Sequence, residues 1–228
     1  TPHTPTTTYA DTTLHHTDIP GEPNEADTHH NSTYTLDCEP LHAGSEDTNT
    51  PEANAKEEAQ AAFLAWAQSD RWETEDFTLA HDIDLTGIDW TPIGMYYPYF
   101  TKTFDGGGHT ISGLTVNVTG DSYVGLFATI DVTATVRNPN VSGSVTGGTG
   151  ITGGIAGTND GTITGCTFTG TVTGSGRTGG IAGWNGDRDR SASLISGCSV
   201  TNATITGGER TGGIVGVLDH DGYIIGSS

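Results

Sequence analysis

Positive charge is nearly absent from this chain of 228 residues. Eight lysines and arginines stand against 28 aspartates and glutamates, a net charge of −20, and Lys56 and Lys102 are the two lysines. Such a surface repels nucleic acid and anionic lipid, so neither a nucleic-acid partner nor membrane insertion is expected. No apolar run is long enough to cross a bilayer as a helix. Hydrophobic residues make up only 32% of the chain. That is too few for an ordinary globular core and suits a solenoid, whose core is a thin column of inward side chains. Cysteine is scarce, at Cys38, Cys166 and Cys198, and the odd count leaves at least one thiol free or shared with another chain. The chain begins at Thr1 without a methionine or a signal peptide, which reads as a processed or excised segment. The acidic excess fits a solvated, aggregation-resistant surface or a salty extracellular setting.

Glycine is what the chain does have, with 34 residues, and it is periodic. Gly153-Gly-Ile-Ala-Gly157 recurs as Gly179-Gly-Ile-Ala-Gly183 and as Gly212-Gly-Ile-Val-Gly216, at steps of 26 and 33 residues. The candidate structural residues are therefore Gly153, Gly154 and Gly157, Gly179, Gly180 and Gly183, and Gly212, Gly213 and Gly216. The longer step carries an insertion around Asp187–Ser193. The strand after each knot recurs too. Thr162-Ile-Thr-Gly-Cys-Thr-Phe-Thr-Gly-Thr-Val-Thr-Gly174 matches Leu194 to Gly207 and puts Cys166 and Cys198 at equivalent places. Pro139 and Ser227 take that place in the coils before and after. Ile163, Phe168 and Val172 alternate with Thr164, Thr169 and Thr173, which points the first set inward. A repeat that cannot bury its own face alone buries it by stacking. Ile163 is then expected under Ile195 and Val172 under Ile205. Each glycine knot is expected either to turn with φ > 0 or to pack closely. The fold class is mainly β, a parallel β-solenoid with right-handed winding, a short N-terminal capping helix and an extended N-terminal arm.

Three regions follow. Residues 1–50 are rich in threonine, histidine and acid without helical or strand period, and read as a disordered arm or stalk held by a neighbouring molecule. Residues 51–76 hold a capping helix over 51–69 and a linker. Thr50 is its N-cap and Pro51 its first residue, and Ala55, Ala59, Phe63 and Trp66 form an apolar face. Residues 77–228 form the solenoid. Strand alternation starts at Phe77-Thr-Leu-Ala-His-Asp-Ile-Asp-Leu, followed by a turn at Trp90-Thr-Pro-Ile-Gly.

The solenoid closely resembles the GLUG repeat family of bacterial and archaeal surface proteins. The resemblance runs from about Phe77 to Gly226. It rests on Asp82-Ile-Asp-Leu, Trp90-Thr-Pro-Ile-Gly, Phe104-Asp-Gly-Gly-Gly-His-Thr-Ile-Ser-Gly-Leu, Val124-Gly-Leu-Phe and the three glycine knots. It implies a parallel β-helix on a large secreted or wall-attached protein, of the kind found in adhesins and in the non-catalytic parts of IgA-cleaving metallopeptidases. Asn138-Pro-Asn departs from the family's Asn-Leu, so that coil is expected to be kinked. The arm has no parallel in the family.

Catalytic chemistry finds little support. No histidine is followed by glutamate, which excludes the His-Glu-x-x-His zinc motif. His15-His16, His29-His30 and His42 read as solvated linker residues, and no cofactor or metal is expected. A lyase would need clustered carboxylates and a base. Asp187, Arg188, Asp189 and Arg190, with Arg177 and Arg210 on adjacent coils, read instead as a self-neutralising surface, with the last two pairing with Glu209 or nearby acids. Asp82-Ile-Asp84 and Asp219-His-Asp-Gly222 lack the ligand count of a calcium loop. Cys166 and Cys198 stand within disulfide reach or stack as small buried residues. Asn31, Asn117, Asn140 and Asn202 begin glycosylation triplets.

The sequence thus points to a non-enzymatic extracellular protein. One reading is a filament subunit that self-associates, with Tyr34, Leu36 and Cys38 of the arm adding as a strand to the last coil at Tyr223, Ile224 and Ile225. Another is an adhesive module of a larger surface protein, with a host or cell-surface glycan or protein as partner. A third is a flat ligand-binding face made by the outward rows Thr162/Thr164, Thr167/Thr169, Thr171/Thr173 and Thr204/Thr206.

Overall fold

The computed structural model describes residues 50–186, 192–219 and 221–228. The arm of residues 1–49, with Tyr34, Leu36 and Cys38, lies outside the described residues, as does the core of the Asp187–Ser193 insertion.

A helix over Pro51–Ala67 opens the described chain. The Thr50 hydroxyl oxygen accepts from the Ala53 N–H at 3.2 Å, and Glu52 lies in the first turn, where the helix dipole favours acid. Ser69 then caps a short 3-10 turn over Asp70–Glu73. Phe63 and Trp66 are fully buried, and both sit on the apolar stripe expected from the sequence.

Every sheet pairing that follows is parallel, and four sheets line the rod. The first face stacks Phe77–Thr78, Thr103–Asp105, Thr135–Arg137, Thr162–Thr164, Ser193–Ser196 and Gly222–Ile225. The second stacks Ile83–Asp84, Thr110–Asn117, Asn140–Thr146, Thr167–Thr173 and Ser199–Thr206. The third stacks Tyr123–Val124, Ile151–Gly153, Arg177–Gly179 and Arg210–Gly212, and the fourth Phe127–Ile130, Ala156–Asn159, Ala182–Asn185 and Val215–Leu218. Each coil visits the faces in that order and returns to the first one level up. Isolated bridges from Asp89, Ile93 and Phe100 to Thr115, Phe127 and Ile130 tie the first coil to the second.

The columns are those the repeat implies. Val136, Ile163, Ile195 and Ile224 are in register, as are Val116, Val145, Val172 and Ile205. Gly153, Gly179 and Gly212 superpose. Aromatic rings fill the N-terminal end: Phe63 stacks on Trp90 at 5.6 Å between centroids, and Trp66 on Phe77 at 4.9 Å and Phe104 at 5.7 Å.

The knots work by close approach and not by backbone conformation. None of their glycines has positive φ. A Cβ on Gly180 would overlap the Gly213 carbonyl and come within 2.7 Å of a Val200 methyl, and one on Gly154 would reach the Phe168 ring at 2.5 Å. Gly213 meets nothing, because no described coil lies above it. Positive φ belongs to a different column, the corner between the first and second faces. Gly165, Gly197 and Gly226 take φ of 63°, 59° and 59° there, and Asn138 takes 62°. The coil containing Asn138-Pro139 is therefore not kinked. Asparagine tolerates the left-handed region, and the Pro139 carbonyl still accepts from Thr167 N–H at 3.0 Å. Two second-face strands hold one extra residue, a bulge at Gly113 (φ 69°) and at Asn202 (φ 47°), and pairing resumes in register beyond each.

These contacts set a contrast between two glycines of one motif. Gly180→Ala should lower unfolding stability by about 1–3 kcal/mol through overpacking, while Gly213→Ala should change it by less than about 0.5 kcal/mol, both read from denaturant titrations. Equal effects would contradict the stacking.

Candidate functional site

The two ends of the rod differ. At the N-terminal end the Gln60 side chain acts as a substitute strand. Its Nε2 donates to the Asp84 carbonyl at 2.6 Å and its Oε1 accepts from the Asp84 N–H at 2.9 Å. The edge of Ile83–Asp84 is thereby satisfied, as edge strands require. Trp66 Nε1 donates to the Glu75 carbonyl at 3.2 Å and locks the helix over the first coil. At the other end nothing plays this part among the described residues. Ser199–Thr206, Arg210–Gly212, Val215–Leu218 and Gly222–Ile225 are each last in their sheet. Ile224 continues the buried Ile163 and Ile195 column yet is 37% exposed, and Tyr223 and Ile225 reach 52% and 59%. The described chain closes by starting one more coil: Ser228 N–H donates to Cys198 O at 3.0 Å, and the Ser227 Oγ accepts from Cys198 N–H at 3.1 Å. Of the expected assembly residues, the structure thus places Tyr223, Ile224 and Ile225 on one unpaired apolar edge.

Hydroxyls form an outward lattice on the second face. Thr167 lies 3.2 Å from Ser199, Thr169 lies 3.4 Å from Thr201, and Thr171 donates to Ser144 at 3.0 Å. These bonds run between coils, so the rows brace the stack as well as facing solvent.

The Cys166 and Cys198 thiols are buried, unoxidised and on successive coils. Each lies 3.8 Å from a carbonyl of the coil below, Val136 for Cys166 and Ile163 for Cys198. Burial pushes the Cys166 thiol well up, and its neighbour Cys198 adds to that. A protonated, enclosed thiol is a poor nucleophile, so Cys166 fills space, and Cys198, whose thiol its bond with Cys166 draws down, is shielded by its burial.

Among the described residues no group of three histidines, cysteines or acids is placed to hold a metal. The Asp82 and Asp84 carboxylates, one of the pairs weighed as a calcium site, are engaged with the protein itself. Asp84 accepts from the N–H and hydroxyl of Thr86, at 2.9 and 2.6 Å, which lowers its pKa. Asp82 accepts from the Thr110 N–H at 2.9 Å, the largest cause of its own lowered pKa, and lies 3.3 Å from His109 Nδ1.

Several features escaped the sequence reading. A loop after Trp90 exposes Tyr96 at 76% and Tyr97 at 87% beside a cleft of about 440 Å³ against the capping helix. Its run of tyrosines was a visible signal. Asn159 and Asn185 form a buried ladder, with Asn159 Nδ2 donating to Asn185 Oδ1 at 2.6 Å; their spacing equals the repeat step. Arg177 and Arg210 are in register as expected. The Arg177 guanidinium, however, lies 4.4 Å from the Trp184 ring centroid instead of pairing with Glu209, because a desolvated aromatic face offers it a nearer partner.

No protein-family model matches the chain. It is 34% identical over 137 residues to Halomucin of Haloquadratum walsbyi, which covers 54% of this chain and 2% of that protein. It is 35% identical over 112 residues to the "Putative Gly-rich membrane protein" of Evansella cellulosilytica, covering 45% of this chain and 13% of that one. Among solved structures it is similar to "a putative immunoglobulin A1 protease" from Bacteroides ovatus, with a TM-score of 0.54, 29% identity, and coverage of 65% of this chain and 48% of the other.

Burial makes a direct prediction for the thiols. In a Cys38→Ser variant, a thiol-exchange reagent at pH 8 should label neither Cys166 nor Cys198 in the native protein and both after unfolding. Rapid native labelling would show that the stacked column is open.

Proposed function

We propose that this chain is a non-catalytic β-solenoid module of a secreted or cell-surface protein, a stiff spacer that carries adhesive surface along its length. The supporting observation is the pairing of a satisfied N-terminal end with an apolar, unpaired C-terminal edge in strict register, onto which a further coil fits. The names of the relatives agree with a surface setting, and the chain spans small fractions of both. The GLUG-like motifs point the same way, since the resemblance implies a place outside the catalytic parts of such proteins. Tyr96 and Tyr97, large rings held in water, are the kind of exposed patch that contacts a partner.

A second reading, a filament subunit, is favoured by the same unpaired edge. Here the arm segment of Tyr34, Leu36 and Cys38 from a second copy adds as a strand beside Gly222–Ile225. Head-to-tail addition of this kind does not close.

Immunogold labelling with antibody to this chain should decorate intact cells of the source organism; labelling only after permeabilisation would defeat the surface reading. Electron microscopy and sedimentation of the purified chain separate the two roles. The module reading expects monomers at all concentrations. The filament reading expects fibres that vanish when residues 1–50 are deleted or Ile225 is changed to lysine.

A further inference from the structure

A second cleft, of about 420 Å³, opens on the third face, where the turns of three successive coils stack. Thr149 and Gly150, Ser175 and Gly176, and Glu209 contribute to it, and Arg177 and Arg210 form its wall. The two arginines are in register on neighbouring parallel strands, about 4.8 Å apart along the stack. Like charges set directly opposite one another destabilise a sheet. The arrangement is not dictated by the repeat, because the same column holds Ile151 and Tyr123 in the coils below. Nor is it a by-product of composition, since the whole chain has eight basic residues among 28 acidic ones.

Two observations show that this charge is left uncompensated by the described residues. Among the described residues neither guanidinium makes an ion pair, although Glu209 lines the same cleft. Arg177 is held in place by Trp184 at 4.4 Å, and its Nε is buried without a hydrogen-bond partner. The floor is backbone: a Cβ on Gly176 would overlap the Gly150 and Thr149 carbonyls, so the glycines let the coils close and keep side chains out of the cleft. One guanidinium held by Trp184 and a second residue of the same type in register beside it, with hydroxyls and an open floor, suit the planar, bidentate chemistry of oxyanion recognition.

We propose that Arg177 and Arg210 together bind one oxyanion, a sulfate or a carboxylate, which bridges the coils and relieves their mutual repulsion. Two sources share this chemistry, free inorganic sulfate and the acid group of a sugar. The site reaches the last described coil through Glu209 and Arg210 and lies apart from the tyrosine loop.

The test uses the full chain and compares wild type with Arg210→Gln and Glu209→Gln. In chloride at fixed ionic strength, Arg210→Gln should melt higher than wild type, because the like-charge contact is gone. Replacing chloride by sulfate stabilises proteins generally, so the readout is the difference between variants. Wild type should gain more than Arg210→Gln, and Glu209→Gln, which removes the competing carboxylate, should gain most. Calorimetry with sulfate, galacturonate and neutral galactose then identifies the source. Galacturonate binding without sulfate binding assigns a sugar acid, and sulfate binding alone assigns the inorganic ion; in each case Arg210→Gln should weaken binding at least tenfold. An equal sulfate gain in wild type and Arg210→Gln, or calorimetry blank for both anions, overturns the proposal.

Discussion

The rod depends on how closely one coil lies on the next at the glycine knots. Side chains in neighbouring parallel strands settle at the ordinary inter-strand spacing, but at Gly153, Gly179 and Gly212 the chain also turns from the third face into the fourth. There the backbone of each coil presses against its own return strand and, at Gly153 and Gly179, against the coil above. Any Cβ at these points would separate the levels. With the levels held together, the Val, Ile and Phe columns close, and a chain with few hydrophobic residues still buries a continuous core. The buried cysteines and the asparagine ladder are secondary fittings within that spacing. Their identities suit the room left over, and their hydrogen bonds follow the coil-to-coil direction.

The same spacing makes the ends unequal. The first coil meets a helix whose Gln60 reproduces the donor and acceptor of a backbone and whose Phe63 and Trp66 cover the aromatic end of the column. The last coil meets no such group among the described residues, and inward residues such as Ile224 and Ile214 are correspondingly less buried than their counterparts below. Polarity along the axis is therefore built into the molecule. The Ile83–Asp84 edge beside the helix is satisfied, while the outer edge of Gly222–Ile225 has no partner strand among the described residues.

Much of this was legible in the sequence, because a solenoid writes its vertical contacts as identities at fixed intervals. Ile163 over Ile195, Cys166 beside Cys198 and the three knots could be placed by superposing one repeat on the next. The helix was legible from Thr50, Pro51 and its apolar spacing, ending at Ala67, two residues short of expectation, because Ser69 diverts the chain into a 3-10 turn. Apart from the Asn159–Asn185 ladder, whose spacing is the repeat step, what stayed hidden does not repeat. Gln60 pairs with Asp84 through a side chain, which no periodicity announces. Arg177 finds Trp184 across a corner, seven residues along the chain but on another face. Pro139 suggested a kink by its type, whereas its neighbour Asn138 already supplied the corner that glycine supplies elsewhere. The role of the knot glycines was half legible: their need for space follows from the motif, but the choice between space and left-handed backbone is visible only in three dimensions.

The unequal lengths of the coils have a consequence of their own. Coils of 26 and 33 residues between knots lie in the same register; most of the extra residues fall in the sequence between Asn185 and Leu194, where the fourth face gives way to the first, and one is the bulge at Asn202. Length varies most at that corner. Chain length can therefore vary at this corner without altering the pitch, so that how much sequence a coil carries and how tall the rod stands can change independently.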